Sequence, residues 1–497
     1  MRMNFILGTV ALAITFSGHA AAETRCERIL KRFGARLRDA SCVDSTDLTT
    51  NNPNTTPQNN SLPGWPPFAF TPQTDRTVIA PDPANKTPIT KVVPGVQINA
   101  YIASDPTGQA RFLLRLPDDW NGRLVVAGAS GTRSEFNGDW AWSDYVVQKG
   151  YAYASQNKGV LNLFFTTAAD KLACRLNPNA GAGLFVHFYD LDEGQQFSRW
   201  AVFMAEAARL ARRGVETLYG REPRRTYAVG TSNGGYQVRK AVESYPELFD
   251  GGVDWEGTFV DPDGPNLLTD LPPAILNYPD YLASGRDANS TAAKNIRLAG
   301  YPPDIIGGVS GSMWTNYSNS FWEVTQCQWQ KRLDPGYDTY VEGTGTYNYQ
   351  ARRAVSDVAG QIAAFETTGR IRRPLITVAG TMDALLPIDR HARAYARKVS
   401  EEKAEGGDQE GDDDGHGSRA YRLYEVQNGN HIETYKTTGG PFPQLEFIEP
   451  HAQRAFDLLV DAVEHRAGLP PSQCIPRGGA IASSPRHPGH CANLFVP

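Results

Sequence analysis

The sequence predicts an α/β fold, in which helices cover both faces of a mostly parallel sheet. Short apolar segments rich in β-branched and aromatic residues alternate with segments of helical periodicity, and this alternation is typical of βαβ units. Six segments are predicted as strands of the sheet: residues 123–127, 151–155, 226–229, 252–255, 375–378 and 421–426. The chain of 497 residues is long enough for two domains or for one large domain with an insertion, and we favour the second arrangement.

Residues 1–22 have the three parts of a secretory signal peptide: a basic start, an apolar run at 5–16 and a small-residue cleavage site at 20–22. The apolar run is shorter than the roughly 20 residues that span a bilayer, and no later segment is apolar enough. We therefore expect a soluble, secreted or periplasmic protein. Residues 23–65 are predicted to be an N-terminal segment and linker, because 43–65 are rich in Thr, Asn and Pro.

The charge balance and the cysteines narrow the class of partner and the compartment. Because 49 basic side chains face 54 acidic ones, the sequence predicts neither a nucleic-acid nor a membrane partner. An even number of cysteines in an exported chain favours disulfides over metal ligation. Six cysteines permit 15 pairings, and proximity in the sequence favours Cys26–Cys42 and Cys474–Cys491, which leaves Cys174–Cys327.

Residues 225–245 carry the most informative motif. A short apolar strand runs through Gly230-Thr231-Ser232-Asn233-Gly234 into a helical pattern. A Gly-x-Ser-x-Gly turn between a strand and a helix is a nucleophile elbow, in which the glycines let neighbouring backbones approach the strained serine. This context predicts the α/β-hydrolase fold, with a mostly parallel central sheet, an inserted lid domain and Ser232 as the nucleophile. The alternative is a serine that only caps the helix.

A serine nucleophile needs a base and an acid, which in this fold follow it in the order Ser, Asp, His. Asp383 follows the predicted strand 375–378, and His431 follows the predicted strand 421–426. The carboxyl ends of parallel strands meet at one edge of the sheet. We therefore predict that Ser232, Asp383 and His431 form a catalytic triad at that edge.

Other acids and histidines compete for these two roles. Glu256 directly follows the strand after the elbow and is retained as the second candidate for the acid, while Asp254 lies in the same segment. Asp389 is interpreted as a carboxylate at a helix start. His451 precedes an amphipathic C-terminal helix and His187 lies in an apolar run, so both are interpreted as structural residues.

Two backbone N–H groups are predicted to bind the oxyanion of the tetrahedral intermediate. One belongs to Asn233, directly after the nucleophile. The other is assigned to Ala129, with Gly128 and Ser130 as neighbours, because small residues follow the strand 123–127. The sequence lacks the Cys-x-x-Cys spacing of a structural zinc site, and the mechanism requires neither a metal nor a cofactor.

The core is divided into residues 66–260 and 370–497, with an inserted lid at 261–369 between them. In the lid the alternation lapses and aromatic residues accumulate: Tyr278, Tyr281, Tyr301, Trp314, Tyr317, Phe321, Trp322, Trp329, Tyr337 and Tyr347. Alternatively, these aromatics form the core of an ordinary subdomain. The acidic segment 401–417 lacks the ligand spacing of an EF-hand and is predicted to be a solvated loop rather than a calcium site.

Several of these motifs resemble those of the tannase and feruloyl esterase group of α/β-hydrolases, and of the secreted 3-hydroxybutyrate oligomer hydrolases. The resemblance covers most of residues 110–475 and rests on Leu-Pro-Asp-Asp-Trp-Asn-Gly-Arg at 116–123, the segment 149–159 and the elbow. It implies a substrate bound under the lid, and hence a binding role for Trp and Tyr side chains of residues 270–350.

This chain departs from the tannases at two positions. Tannases carry a cysteine directly before the nucleophile and another directly after the histidine, whereas this sequence has Thr231 and Ile432 there. The segment Ser-Asn-Gly-Gly at 232–235 is closer to that of the hydroxybutyrate oligomer hydrolases.

We therefore expect a serine carboxylic-ester hydrolase that acts through an acyl-enzyme. The expected partner is a small-molecule or oligomeric ester, either aromatic and feruloyl-like or derived from hydroxyalkanoates or polyesters. A serine peptidase of the same fold is the main alternative. A non-catalytic binding module is a further alternative, which the three triad candidates disfavour. A metal-dependent hydrolase is another, which the sequence disfavours because it shows no cluster of His and carboxylate ligands.

Overall fold

The computed structural model describes residues 23–52, 55, 87–131, 133–136, 138–176, 184–189, 197–337, 346–405, 420–436 and 440–497. The predicted signal peptide, most of the predicted linker beyond residue 52 and residues 406–417 of the acidic segment lie outside these ranges.

The main sheet has ten strands in the described part of the chain, in the spatial order β1-β2-β3-β5-β4-β9-β10-β11-β12-β13. Their bounds are β1 Leu37–Ser45, β2 Gly95–Ile102, β3 Arg111–Pro117, β4 Arg123–Gly128, β5 Ala152–Gln156, β9 Arg225–Thr231, β10 Gly251–Trp255, β11 Leu375–Gly380, β12 Tyr421–Val426 and β13 Gln473–Ile475. All six predicted strands are present, which confirms the α/β class.

Strand direction divides this sheet into two parts. From β5 through β4 and β9 to β13, all neighbouring strands are parallel. At the other end β1, β2, β3 and β5 pair antiparallel. Residues 37–45 of the predicted N-terminal segment are therefore a strand of the sheet. β1 lacks a continuous apolar run because it is an edge strand with mostly exposed side chains.

Helices pack on both faces of the sheet and in a separate layer. The helices of the core are α1 Arg25–Phe33, α2 Asp144–Val147, α3 Arg199–Tyr219, α4 Asn233–Ser244, α11 Ala392–Glu405 and α12 Glu449–His465. Short 3₁₀ or π turns occupy Gly34–Arg36, Asp139–Ser143, Ser318–Trp322 and Glu433–Tyr435. None of the described helices combines the length and the apolar character needed to cross a bilayer.

Helix α3 is buried along the apolar face that its sequence periodicity predicts. Trp200, Met204, Ala208 and Ala211 recur at spacings of three and four and are all buried. The helix ends at Gly220, whose φ of 72° places it in the left-handed region that glycine adopts without strain. The helix therefore lies against the sheet directly before β9, the strand that leads to Ser232.

A second layer, here called the cap, is built from two separate segments of the chain. The first is a small sheet of order β6-β8-β7, with β6 Leu161–Thr166, β7 Cys174–Arg175 and β8 Phe185–Tyr189. The second lies in the predicted lid and contains α5 Leu267–Ala283, α6 Thr291–Leu298, α7 Met313–Tyr317, α8 Glu323–Leu333, α9 Tyr349–Arg353 and α10 Val358–Ala363. The disulfide Cys174–Cys327 joins them.

All three disulfides have the preferred pairing, because Cys26–Cys42 and Cys474–Cys491 are also bonded. The first ties α1 to β1, and the last ties β13 to the C-terminal tail. The three bonds thus hold the edge strand β1, the two-residue strand β7 and the C-terminal tail.

The aromatic residues of the lid form a core of their own. Eight of the ten are buried: Tyr278, Tyr281, Tyr301, Trp314, Tyr317, Trp322, Trp329 and Tyr347. They pack together and against apolar side chains of the small sheet, including Tyr189. The expectation that they line a substrate site is therefore wrong for these eight, because burying large aromatic surfaces stabilises the cap itself.

Candidate active site

Ser232, the predicted nucleophile, lies on a strained turn between β9 and α4. Ser232 has φ 58° and ψ −120°, outside the regions that non-glycine residues favour. A Cβ atom at Gly234 would lie 2.6 Å from the carbonyl oxygen of Gly128, so glycine is required for α4 to approach the end of β4. The turn leaves Ser232 8% exposed at the edge of the sheet.

The predicted base and the predicted acid reach this serine from the ends of two further strands. His431 follows β12, and its Nε2 lies 3.1 Å from Ser232 Oγ. Its Nδ1 lies 2.8 Å from Oδ2 of Asp383, which follows β11. The structure thus brings together the three residues that the sequence nominates, at the predicted edge.

Backbone hydrogen bonds fix the acid. Asp383 Oδ1 accepts from the N–H groups of Leu385 at 2.8 Å and Leu386 at 2.7 Å, which leaves Oδ2 for His431. Asp383 is 1% exposed. A carboxylate held by three donors in a dry environment orients the imidazole with little loss of side-chain entropy on reaction.

The surroundings of His431 favour its protonated form. Burial lowers its pKa, but the charge and hydrogen bond of Asp383 and the charge of Glu256 oppose this, and the net effect raises the pKa of His431 to about 9. An imidazole that holds a proton strongly is suited to act as a base toward the Ser232 hydroxyl.

A second carboxyl group lies beside the base. Glu256 directly follows β10, and its Oε2 is 3.6 Å from His431 Nδ1. Burial and the negative charge of Asp383 raise the pKa of Glu256 well above its usual range. By sequence, Glu256 is the second candidate for the acid. The structure places it beside His431, but Asp383 is the closer partner of Nδ1.

The other competitors have structural partners. Asp254 forms a fully buried ion pair with Arg239 and accepts from the Thr377 hydroxyl. Asp389 lies in the turn before α11 and pairs with Arg393 in the first turn of that helix. His451 is half-buried in the first turn of α12, and this burial lowers its pKa to about 4.

His187 also has a structural setting. Its Nδ1 pairs with Asp170 at 2.8 Å in the small sheet of the cap. The interpretation of His187 as a structural residue therefore agrees with the geometry.

The two predicted oxyanion donors differ in their surroundings. Asn233 is the first residue of α4, where backbone N–H groups point along the helix axis without an intrahelical acceptor. The N–H of Ala129 instead donates to Oε1 of Gln237 at 3.0 Å. The assignment of Ala129 as the second donor is therefore wrong, because that N–H already has a buried acceptor.

Two buried polar side chains hold the loop after β4. Gln237 of α4 accepts from Ala129, and the ammonium of Lys158 donates to the carbonyl oxygens of Ala129 at 3.1 Å and Ser130 at 2.6 Å. Lys158 is fully buried. Sequence reasoning missed both residues, although Lys158 lies in the segment 149–159 that carries the family resemblance.

The cap is bonded to both loops that bear the acid and the base. Trp322 Nε1 donates to the carbonyl oxygen of Ala384, the neighbour of Asp383, at 2.7 Å. The Tyr317 hydroxyl donates to Oδ1 of Asn430, which precedes His431 in the chain, at 2.8 Å. Buried aromatic residues of the cap therefore position the triad loops.

One group of metal-ligand side chains lies close together in the described part of the chain. Ligand-type atoms of Glu256, Asp383 and His431 fall within 4.8 Å of one another. Two of them, Asp383 Oδ2 and His431 Nδ1, share a hydrogen bond that a metal ion would have to replace. The geometry fits a triad with an added carboxyl group better than a metal site.

The parallel sheet, the strained serine turn and the order Ser232, Asp383, His431 at successive strand ends define the α/β-hydrolase fold. Comparisons with known proteins point the same way. The family model for 3HB-oligomer hydrolase matches residues 331–492. That range contains Asp383 and His431.

A curated relative, the D-(-)-3-hydroxybutyrate oligomer hydrolase of Burkholderia thailandensis, is 33% identical over 119 residues. The match covers 23% of this chain and spans 15% of the length of that relative. These two findings confirm the predicted resemblance to the hydroxybutyrate oligomer hydrolases.

Two fungal structures align with most of this chain. Feruloyl esterase B from Aspergillus oryzae has a TM-score of 0.49 and 14% identity, and the alignment covers 93% of this chain and 94% of that one. Tannin acyl hydrolase from Aspergillus niger has a TM-score of 0.45 and 12% identity, with coverage of 82% and 84%.

Proposed function

We propose that this protein is a serine carboxylic-ester hydrolase in which Ser232, His431 and Asp383 act as nucleophile, base and acid. The observation that carries the proposal is the continuous chain of contacts from Ser232 Oγ through both ring nitrogens of His431 to Asp383. The strained elbow supports it, because such a turn costs free energy that a purely structural serine would not require.

The reaction proceeds in two steps. Ser232 Oγ attacks the ester carbonyl while His431 Nε2 takes its proton and passes it to the departing alcohol, which leaves an acyl-enzyme. Water then attacks the acyl carbon, with His431 again taking a proton, and this releases the acid and restores Ser232. Asp383 holds the imidazole in the required orientation throughout.

The preferred substrate class is short oligomers of hydroxyalkanoates, and aromatic, feruloyl-like esters are the second class. The family model that includes Asp383 and His431 supports the first class. Export to the periplasm or the medium completes the proposal, and the three disulfides support it because such bonds persist in oxidising compartments.

The proposal is tested with purified enzyme and its Ser232→Ala variant. A panel comprises a 3-hydroxybutyrate dimer and trimer, p-nitrophenyl esters, methyl ferulate, a gallate ester and a peptide amide. We expect wild-type turnover of an ester, a loss of at least about 10⁴-fold in the variant, and fluorophosphonate labelling of the wild type alone. Full esterase activity in the variant, or turnover of the peptide amide alone, would contradict the proposal.

A further inference from the structure

Glu256 occupies an unusual position among the four strand ends at the site. It follows β10, between β9, which leads to Ser232, and β11, which leads to Asp383. Its backbone φ is 52°, in the left-handed region that residues with a side chain rarely adopt. Successive strands thus present a serine, a glutamate and an aspartate around one histidine.

Only half of the Glu256 carboxyl group has a hydrogen-bond partner among the described residues. Oε1 accepts from the Gly380 N–H at 3.1 Å. Oε2 is buried without such a partner and lies 3.6 Å from His431 Nδ1. A buried, unsatisfied carboxyl oxygen on a strained backbone destabilises the fold, so its place beside the base points to a role there.

We propose that Glu256 is a second positioning residue for His431, which accepts the hydrogen bond of Nδ1–H when Asp383 carries no charge. The inference rests on the proposed function, because it assigns a further residue to the same triad. It requires a movement of less than about 1 Å, since the gap of 3.6 Å must close to an ordinary hydrogen bond of about 2.8 Å.

The charges around Glu256 explain why Asp383, and not Glu256, is the hydrogen-bond partner of His431 in the wild-type site. Burial and the charge of Asp383 raise its pKa, His431 lowers it, and Glu433 adds a smaller effect that raises it. The raised pKa favours the neutral form of Glu256 in the wild-type site. Removal of the Asp383 charge removes the second of these causes, which lowers the pKa of Glu256 and favours its ionisation beside the imidazole.

The test compares four proteins: wild type, Glu256→Gln, Asp383→Asn and the double variant. Asparagine keeps an oxygen for the N–H groups of Leu385 and Leu386, and glutamine keeps one for Gly380, so the local turns are preserved. Circular dichroism confirms folding. If Asp383→Asn does not fold, Asp383→Ser, which also retains a side-chain oxygen, replaces it in the cycle.

We expect Glu256→Gln to lower kcat by only about two- to fivefold, because Asp383 still orients the base. A triad that loses its only acid loses about 10⁴-fold. Here Asp383→Asn is expected to lose about 10- to 100-fold, and the double variant at least a further 100-fold. Equal activity of Asp383→Asn and the double variant would overturn the inference.

A second measurement separates this inference from the proposed function. Histidine NMR reports the pKa of His431 and its Nδ1 proton without any turnover. We expect the pKa to fall further in the double variant than in Asp383→Asn, and the protected Nδ1 proton signal to survive only in the latter. If the wild type hydrolyses no ester but this pattern is seen, the proposed function fails while the role of Glu256 stands.

Discussion

At the scale of single residues, His431 is surrounded by groups that compete for its proton. Ser232 Oγ lies within hydrogen-bond distance of Nε2. The carboxyl groups of Asp383 and Glu256 lie near Nδ1. Burial disfavours the imidazolium, yet the carboxyl groups reverse that preference. The same arrangement that prepares the base to accept a proton from serine also makes it hold protons from solvent at neutral pH.

The raised pKa of His431, at about 9, predicts the pH dependence of the reaction. The base must be neutral to act, so kcat/KM should rise with pH, close to tenfold per unit below the pKa, and level off above it. We expect an alkaline optimum in a pH–rate profile with a neutral ester. A plateau that is already complete at pH 6 would contradict this prediction, and the uncatalysed rate at each pH serves as control.

At the scale of elements, the loop that follows β4 is fixed from two sides. Gln237 of α4 accepts from its first N–H, while Lys158, beyond the end of β5, donates to two of its carbonyl oxygens. In a trans peptide the carbonyl and the following N–H point in opposite directions. Lys158 therefore sets the orientation of the peptide groups on either side of Ser130.

Replacement of Lys158 by methionine keeps the apolar stem and removes the ammonium. We expect kcat to fall about 10- to 100-fold with a small change in KM, because Lys158 orients the peptide groups beside Ser130, a neighbour of the predicted second oxyanion donor, and an oxyanion donor acts mainly in the transition state. Steady-state kinetics on one ester measures both constants. Lys294→Met, at an exposed position on α6, is the control and should leave both unchanged. A pure rise in KM for Lys158→Met would contradict the prediction.

At the scale of the whole molecule, the cap does more than cover the sheet. Its two segments are joined by Cys174–Cys327 and share a core of buried aromatic rings. An ion pair between the buried Asp270 of α5 and the partly exposed Arg390 adds a link to the core domain. Through Trp322 and Tyr317, the stability of the cap is connected to the positions of Asp383 and His431.

A pair of tryptophan variants tests this connection. Trp322 and Trp314 are both fully buried and both donate from Nε1 to a carbonyl oxygen, but Trp314 bonds Pro302 within the cap, whereas Trp322 bonds Ala384. Phenylalanine at either position should lower the free energy of unfolding by about 1–3 kcal/mol. We expect only Trp322→Phe to lower kcat, by about threefold to a hundredfold.

Thermal denaturation and steady-state kinetics on the same preparations measure the two effects. Equal losses of kcat in the two variants would show that the cap affects catalysis through general stability and not through the loop of the acid.

Local patterns along the chain determined much of this protein. The strand segments, the elbow around Ser232 and the strand-end positions of Asp383 and His431 follow from short-range periodicity and turn chemistry, which each segment carries in its own residues. Parallel strands place their carboxyl ends at one edge, so the meeting of the three residues was predictable. The disulfide pairs followed from proximity in the sequence and from elimination.

Only the tertiary structure decided which partner each polar group meets. The loss of Ala129 as a donor, the burial of Lys158 and the distance between Glu256 and His431 depend on contacts between segments far apart in the sequence. The aromatic residues of the lid show the same limit, because composition cannot distinguish a ring that lines a cavity from one that fills a core. Burial and hydrogen-bond pairing are properties of the assembled fold, and no local pattern encodes them.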